Sequence, residues 1–345
     1  IETFAIYAIG ILAALVINGI FLMAIGADPF VAYGTILSSS LGSLSGIAQT
    51  LNRATPLLLG SAAVAFAMRA GYINLGIDGQ IYAGAIAAVG LAFALPDLPG
   101  LVLVPLVLVA GIAGGAVLGS IPAILRAYRG VNELFVTVML NLIIFFFAEW
   151  LATGPWTDPV AGEAITVPIP FQASLPRFLT SGGHIGILIA IPIALLISLW
   201  LLNTRRGFEF RAAGSNPVAA RFGGVSLTGI GVIALVAAGA LGGLAGAIEV
   251  SGVHRRLLTG ITPNFGYMAV LIAVLARRRP MSTIPVAFGF GVLIVGADSL
   301  QRSVALPASA VFIFQAVVVL TVLLFETPRG RKAISAMINK VFRWS

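Results

Sequence analysis

Ten apolar runs separated by short polar segments organise this chain: 4–25, 46–68, 81–95, 101–125, 134–152, 184–202, 227–250, 266–276, 283–297 and 304–325. A helix needs about 20 residues to cross a bilayer. Most of the runs reach or approach that length. Runs 81–95 and 283–297, with 15 residues each, must borrow neighbours. Run 266–276, with 11, is either extended by the turn before it or is half of a broken helix. The pattern predicts an all-α fold, a polytopic transmembrane helical bundle of about ten spans containing short or broken helices.

Composition agrees with that reading. The chain is 59% hydrophobic and 9% charged, with a mean hydropathy of +1.07, whereas soluble domains carry about 25% charged residues. The net charge of +8 does not indicate a nucleic-acid partner, because the basic residues lie dispersed between the apolar runs. Lys and Arg mark cytoplasmic loops. With the N-terminus inside and ten alternating spans, 14 of the 20 basic residues fall on inner segments, namely Arg126 to Arg129, Arg205 to Arg221, Arg277 to Arg279 and Arg329 to Arg343. Arg177, Arg255, Arg256 and Arg302 fall outside. The pair Arg255-Arg256 is the weak point of this topology. There is no cysteine, and His184 and His254 are far apart in sequence, so no metal site is expected.

Two polar islands interrupt the apolar pattern. The first, residues 69–85, reads RAGYINLGIDGQIYAGA and sets Arg69, Asn74, Asp78 and Gln80 among glycines. Irregular polar backbone at membrane depth is tolerated only where protein or a water-filled path covers it. Asn74, Asp78 and Gln80 are therefore candidates for a path; the plain alternative is a polar turn capping the next helix. Asn141, eight residues into its run, is a path residue or a helix–helix bond. Asn264 and Phe265 open the short run with Tyr267, as a stacking surface or as ordinary packing. Glycines at four-residue spacing, Gly111, Gly115 and Gly119, Gly239 and Gly243, and Gly242 and Gly246, allow close helix approach. Packing within the chain is the simpler reading than a dimer seam.

The second island, residues 203–227, holds four arginines and an Asn216-Pro217 helix start. Composition alone makes it an ordinary basic inner loop or a short helix presented to a partner. Its pattern R-A-x-G-x-N-x-x-A-A-R, from Arg211 to Arg221, resembles the cytoplasmic coupling loop of ABC-importer permeases. Residues 73–80, INLGIDGQ, resemble a signature of the branched-chain amino acid and simple-sugar permease superfamily. Residues 130–141, GVNELFVTVMLN, are similar to its nucleoside-uptake branch. GPWTDP at 154–159, the run from Gly266 to Pro280 and LPASAVFIFQ at 306–315 follow in the family's order. Arg277-Arg278-Arg279 departs from it, in that a small or polar residue is expected there.

The resemblance implies a permease domain over 1–327, with external loop 153–183 and coupling loop 203–227, and a basic cytoplasmic tail over 328–345. It implies a multi-pass subunit of a bacterial inner-membrane importer, working by alternating access on a small neutral polar solute, foremost a nucleoside, with a simple or autoinducer-type sugar as the alternative. Coupling to the ATPase would fall to Arg211, Gly214, Asn216, Pro217, Ala220 and Arg221. The implied partners are ATP-binding subunits carrying ATP and Mg, a second permease subunit, related or identical, and an external solute-binding protein. No G-x-x-x-x-G-K-[ST] occurs in the chain. It is therefore not expected to be an enzyme or to hold a cofactor, and a partner or a gradient must supply the energy. A gradient-driven transporter would want a carboxylate deep in a span. An intramembrane enzyme would want a nucleophile–base pair or metal ligands.

Overall fold

The structure, a computed structural model, describes residues 2–178 and 181–303, together with residues 313, 316–318, 320, 321, 323 and 324. The basic tail 328–345 and most of run 304–325 lie outside the described residues. Twelve α-helices, two short 3-10 turns and one π-helical segment occur among the described residues, with isolated β-bridges and no strand. Seven helical segments are long and apolar enough to cross a membrane, and an eighth crossing results if one bent pair counts as a span. The expectation of about ten spans is thus met only in part.

The chain divides into two compact units, one built from residues up to Ile47 and from Val292 onward, the other from Ala48–Gly291. The first contains α1 (Glu2–Ala24) and α2 (Pro29–Leu41), bent by 118° at Gly26 to Asp28. Asp28 caps α2 by accepting from the N–H of Phe30 at 2.8 Å, with Pro29 at the first helical position. Leu22, Ala27, Ala32, Ile36 and Leu300 form its core. Helix α2 was not among the expected runs. Its 13 residues mix Ser, Thr, Gly and Tyr with the apolar ones, and only the Asp-Pro start announces it.

The second unit comprises most of α3 (Leu44–Arg69), then α4 (Ile77–Ala94), α5 (Gly100–Arg129), α6 (Glu133–Thr153), α7 (Gly186–Asn203), α8 (Arg205–Ser215), α9 (Pro217–Phe222), α10 (Leu227–Ile248), α11 (Phe265–Leu275) and the start of α12 (Thr283–Ser303). Helices α4, α5 and α10 pack around a glycine seam. A Cβ on Gly115 would run into the backbone of Gly239 and Gly243, one on Gly119 would stand 2.7 Å from the carbonyl oxygen of Leu235, and one on Gly242 would stand 2.8 Å from Cβ of Gln80. In lipid, hydrophobic burial cannot drive helices together. Close backbone approach through small residues maximises dispersion instead. The glycine periodicity seen in the sequence is therefore an intrachain packing device.

Residues 154–178 pack onto the core of this unit. Ile169 and Ala173 enter the core with Val250, Leu257 and Ile261. The N–H of Thr166 donates to the carbonyl of Leu257 at 2.9 Å, and the N–H of Ile169 to that of Arg255 at 2.8 Å. Arg256 lies 3.5 Å from Asp158. Arg255-Arg256 thus lies against loop 153–183.

Candidate substrate path and coupling loop

Two spans in the second unit begin as extended chain and become helical only part way through. After α3, residues 72–76 run without helical bonding, and α4 starts at Ile77. After α10, a π-helical segment Glu249–His254 and an irregular stretch lead to α11, which starts at Phe265. The glycine contacts set the depth of these starts. Gln80 meets Gly242 and Ile81 meets Gly246, near the middle of the apolar helical stretch Leu227–His254. Run 266–276 corresponds to α11, an apolar helix of 11 residues that follows an irregular stretch.

The two starts meet at one carboxylate. Asp78, in the first turn of α4, accepts a hydrogen bond from the N–H of Gly266 at 2.7 Å and another from the Thr262 hydroxyl. The first N–H groups of a helix have no intrahelical partner and carry partial positive charge. Asp78 supplies a negative charge to its own helix start and to that of α11 together. Gly266 is required by this contact, since a Cβ there would stand 2.6 Å from Oδ2 of Asp78. The hydroxyl of Tyr82, one turn further on, accepts from the N–H of Gly260 at 2.9 Å, and its ring meets Phe145 edge-on at 5.7 Å.

Beside Asp78 lies a neutral amide network. Asn74 and Gln80 are fully buried; Nδ2 of Asn74 donates to Oε1 of Gln80 at 2.9 Å, and Oδ1 of Asn74 accepts from the N–H of Gly76 at 2.9 Å. Asn141, on α6, accepts from the N–H of Gly79 at 2.9 Å and donates to the carbonyl of Leu75 at 2.8 Å. Buried polar groups must find partners; Asn74 and Asn141 satisfy backbone groups of Leu75, Gly76 and Gly79 in place of water, and Gln80 holds Asn74. The amides hold the break in the helix, and Asp78 is only half-buried. Phe265 is wholly buried, whereas Asn264, left-handed at φ 59°, and Tyr267 are exposed. Tyr82 and Thr262 were not singled out from the sequence. Their only signal was a position one turn, or a few residues, from the island and the short run.

The second island folds as α8 and α9. Thr204 caps α8 by accepting from the N–H of Gly207 at 2.9 Å, and Asn216 caps α9 by accepting from the N–H of Ala219 at 3.0 Å. Phe210 of α8 is buried against Phe66 and Trp200, with ring centroids at 5.1 and 5.2 Å. Ala220 is buried, whereas Val218 and Phe222 are exposed to 65% and 90%. Pro217, Gly214, Asn216 and Arg221 are also exposed, and Arg211 is half-buried. Gly214 abuts the backbone of Arg69 to Gly71: a Cβ on Gly71 would lie 3.2 Å from Cα of Gly214.

Comparison with known proteins bears on this architecture. The glucose ABC transporter permease protein TsgB13 of Haloferax volcanii is 32% identical, covering 92% of this chain and 86% of its own length. The nucleoside ABC transporter permease protein NupB of Lactococcus lactis is 30% identical over 96% of each chain. The guanosine ABC transporter permease protein NupP of Bacillus subtilis is 28% identical over 91% of each. The family described as branched-chain amino acid transport system / permease component matches residues 46–323. That match takes in the starts of α4 and α11, the amide network and the α8–α9 segment, and this chain belongs to that family as the membrane-spanning permease subunit of an ABC transporter.

Proposed function

We propose that this permease imports nucleosides across the inner membrane of a bacterium, with its termini, α8–α9 and residues 277–279 on the cytoplasmic side. The observation that carries the reading is the meeting of the α4 and α11 starts at Asp78 and Gly266, at mid-depth beside a neutral amide network. Transporter sites commonly sit where discontinuous helices meet near the bilayer midplane. Donors and acceptors without a surplus of charge suit a neutral polar solute. In this reading Asp78 and Asn264 face the solute, and Asn74, Gln80 and Asn141 fix the wall behind them. Phe265 anchors α11 from the core. Tyr267 offers a ring face to a base, since any base can stack on an aromatic.

Nucleosides are favoured by the two relatives named for nucleoside and guanosine transport, which match over nearly their whole length. The relative named for glucose supports a sugar as the second reading. Arg211, Gly214, Asn216, Pro217, Ala220 and Arg221 form the contact with a cytoplasmic ATPase, whose closure drives alternating access. ATP and Mg belong to that subunit. A second permease subunit and an external binding protein complete the importer.

Uptake of labelled guanosine, adenosine, ribose and glucose in cells with and without this chain tests the substrate. Chain-dependent guanosine or adenosine uptake, competed by nucleosides and not by glucose, is expected. Chain-dependent uptake of glucose alone establishes the sugar reading instead.

A further inference from the structure

We propose that Arg69 is the positioning residue that transmits motion of the coupling helix α8 to the broken helix α11. The proposal rests on the reading of α8–α9 as the ATPase contact. Three elements of the second unit meet at this residue. Arg69 ends α3, and its backbone lies against Gly214 at the end of α8. A Cβ on Gly214 would stand 2.9 Å from the carbonyl carbon of Arg69 and 3.0 Å from the N of Gly71. No side chain cushions that contact, so displacement of α8 is felt directly by the backbone at 69–71. From there, Nε of Arg69 donates to the carbonyl oxygen of Arg278 at 2.6 Å.

Arg278 is the C-terminal anchor of α11. Its N–H donates to the carbonyl of Ala273 at 2.8 Å, and that of Arg277 to Val274 at 2.9 Å. The opposite end of α11 is Gly266, whose N–H is held by Asp78. A continuous series of direct contacts therefore runs from Gly214 through Arg69, Arg278 and α11 to Asp78.

The junction is also built to change state. Arg211, Arg278 and Arg279 stand close enough to repel the Arg69 guanidinium, and none of the four has a carboxylate partner among the described residues. Arg277 and Arg278 both adopt left-handed backbone, at φ 54° and 57°, a conformation that non-glycine residues hold only when their surroundings impose it. One charge-assisted hydrogen bond thus closes a repelling, strained turn. Switching elements need two arrangements of similar free energy; breaking this one bond would give the turn its second. The run Arg277-Arg278-Arg279, which departs from the family pattern, acquires a role as the receiving end of the lever.

The absence of native cysteine makes the test direct. Spin labels are placed at Ser215→Cys on α8 and Leu271→Cys on α11, in the full permease assembled with its ATPase. The distance distribution is recorded by pulsed electron resonance with and without ATP. In the parent, ATP is expected to shift the distance of the label pair, and the ratio of ATP hydrolysed to solute transported sets the reference for the variants. Arg69→Met, which keeps the length and removes the donor, should abolish the α11 component of the shift and raise ATP consumed per solute. Arg69→Lys, which retains a donor, should restore both. An unchanged shift and ratio in Arg69→Met, with the ATPase still bound, overturns the relay. An equal loss in Arg69→Lys and Arg69→Met also overturns it. Failure of the parent itself to bind the ATPase through α8–α9 instead defeats the coupling-loop reading.

Discussion

Asp78 and Gly266 are separated by 188 positions in the chain, yet the carboxylate of one accepts the backbone N–H of the other at 2.7 Å. Each belongs to the first turn of its helix, so one carboxylate serves two helix starts. Asp78→Ala should lose the bond and leave the α11 start unsatisfied, at a cost of about 1–3 kcal/mol. Asp78→Asn, which still offers an acceptor, should lose less. Thermal melting of the purified protein in nanodiscs orders the three: parent, then Asn, then Ala. Equal stability of Asp78→Ala and the parent would refute this role.

Gly266→Ala tests the same contact from its other side. The added methyl would lie 2.8 Å from the N of Asp78 as well as against its carboxylate, so overpacking of about 1–3 kcal/mol is expected. Gly34→Ala is the control, because nothing lies within 4 Å of a Cβ there. Melting temperature should fall for the first variant and hold for the second.

Asn74 and Gln80 are expected to behave as a coupled pair. Asn74→Leu strands the buried Gln80 amide at about 1–3 kcal/mol, and Gln80→Leu strands Asn74 similarly. The double variant should cost less than the sum by more than about 0.5 kcal/mol. Additive losses in a double-mutant cycle would mean that the two amides act separately.

The exposed apolar residues of α9 invite a surface test. Val218→Asp and Phe222→Asp place charge at exposed positions and should leave the melting of the permease within about 0.5 kcal/mol of the parent. Co-purification with the ATPase should fall sharply. Retained binding in both variants would remove α9 from the contact.

His184, at the entrance to α7, responds to pH. Its Nδ1 accepts from the N–H of Gly186 at 3.1 Å, and it packs against Gly252. Burial lowers its pKa, Glu249 opposes the shift and Arg177 adds to it. The unfolded chain therefore binds a proton at higher pH than the folded one. Stability should be complete above the ordinary histidine pKa and should decline as pH falls from there toward the lowered value. His184→Gln should flatten that slope in melting curves recorded across mildly acidic pH.

Much of the fold was legible in the sequence because lipid imposes a severe rule: every backbone group must be satisfied inside the span. Runs such as 101–125 and 134–152 consequently coincide with α5 and α6, give or take a few residues. The short run 266–276 coincides with the short helix α11. Helix α2 escaped notice because its apolar residues are too interspersed to form a run. The site was legible in residue type but less so in role. Asn74, Gln80 and Asn141 were open between path and scaffold, and only their mutual hydrogen bonds tie them to the backbone of the break.

The sequence by itself determined that this chain is a helical membrane protein, where its polar islands fall, and that its glycines allow close helix approach, since composition and periodicity fix hydration and helix faces locally. Tertiary structure alone decided that Asp78 closes on Gly266, that Gly115 faces Gly239 and Gly243, and that Arg69 reaches Arg278. Those pairings depend on how helices distant in sequence pack in depth and rotation, which no local pattern encodes.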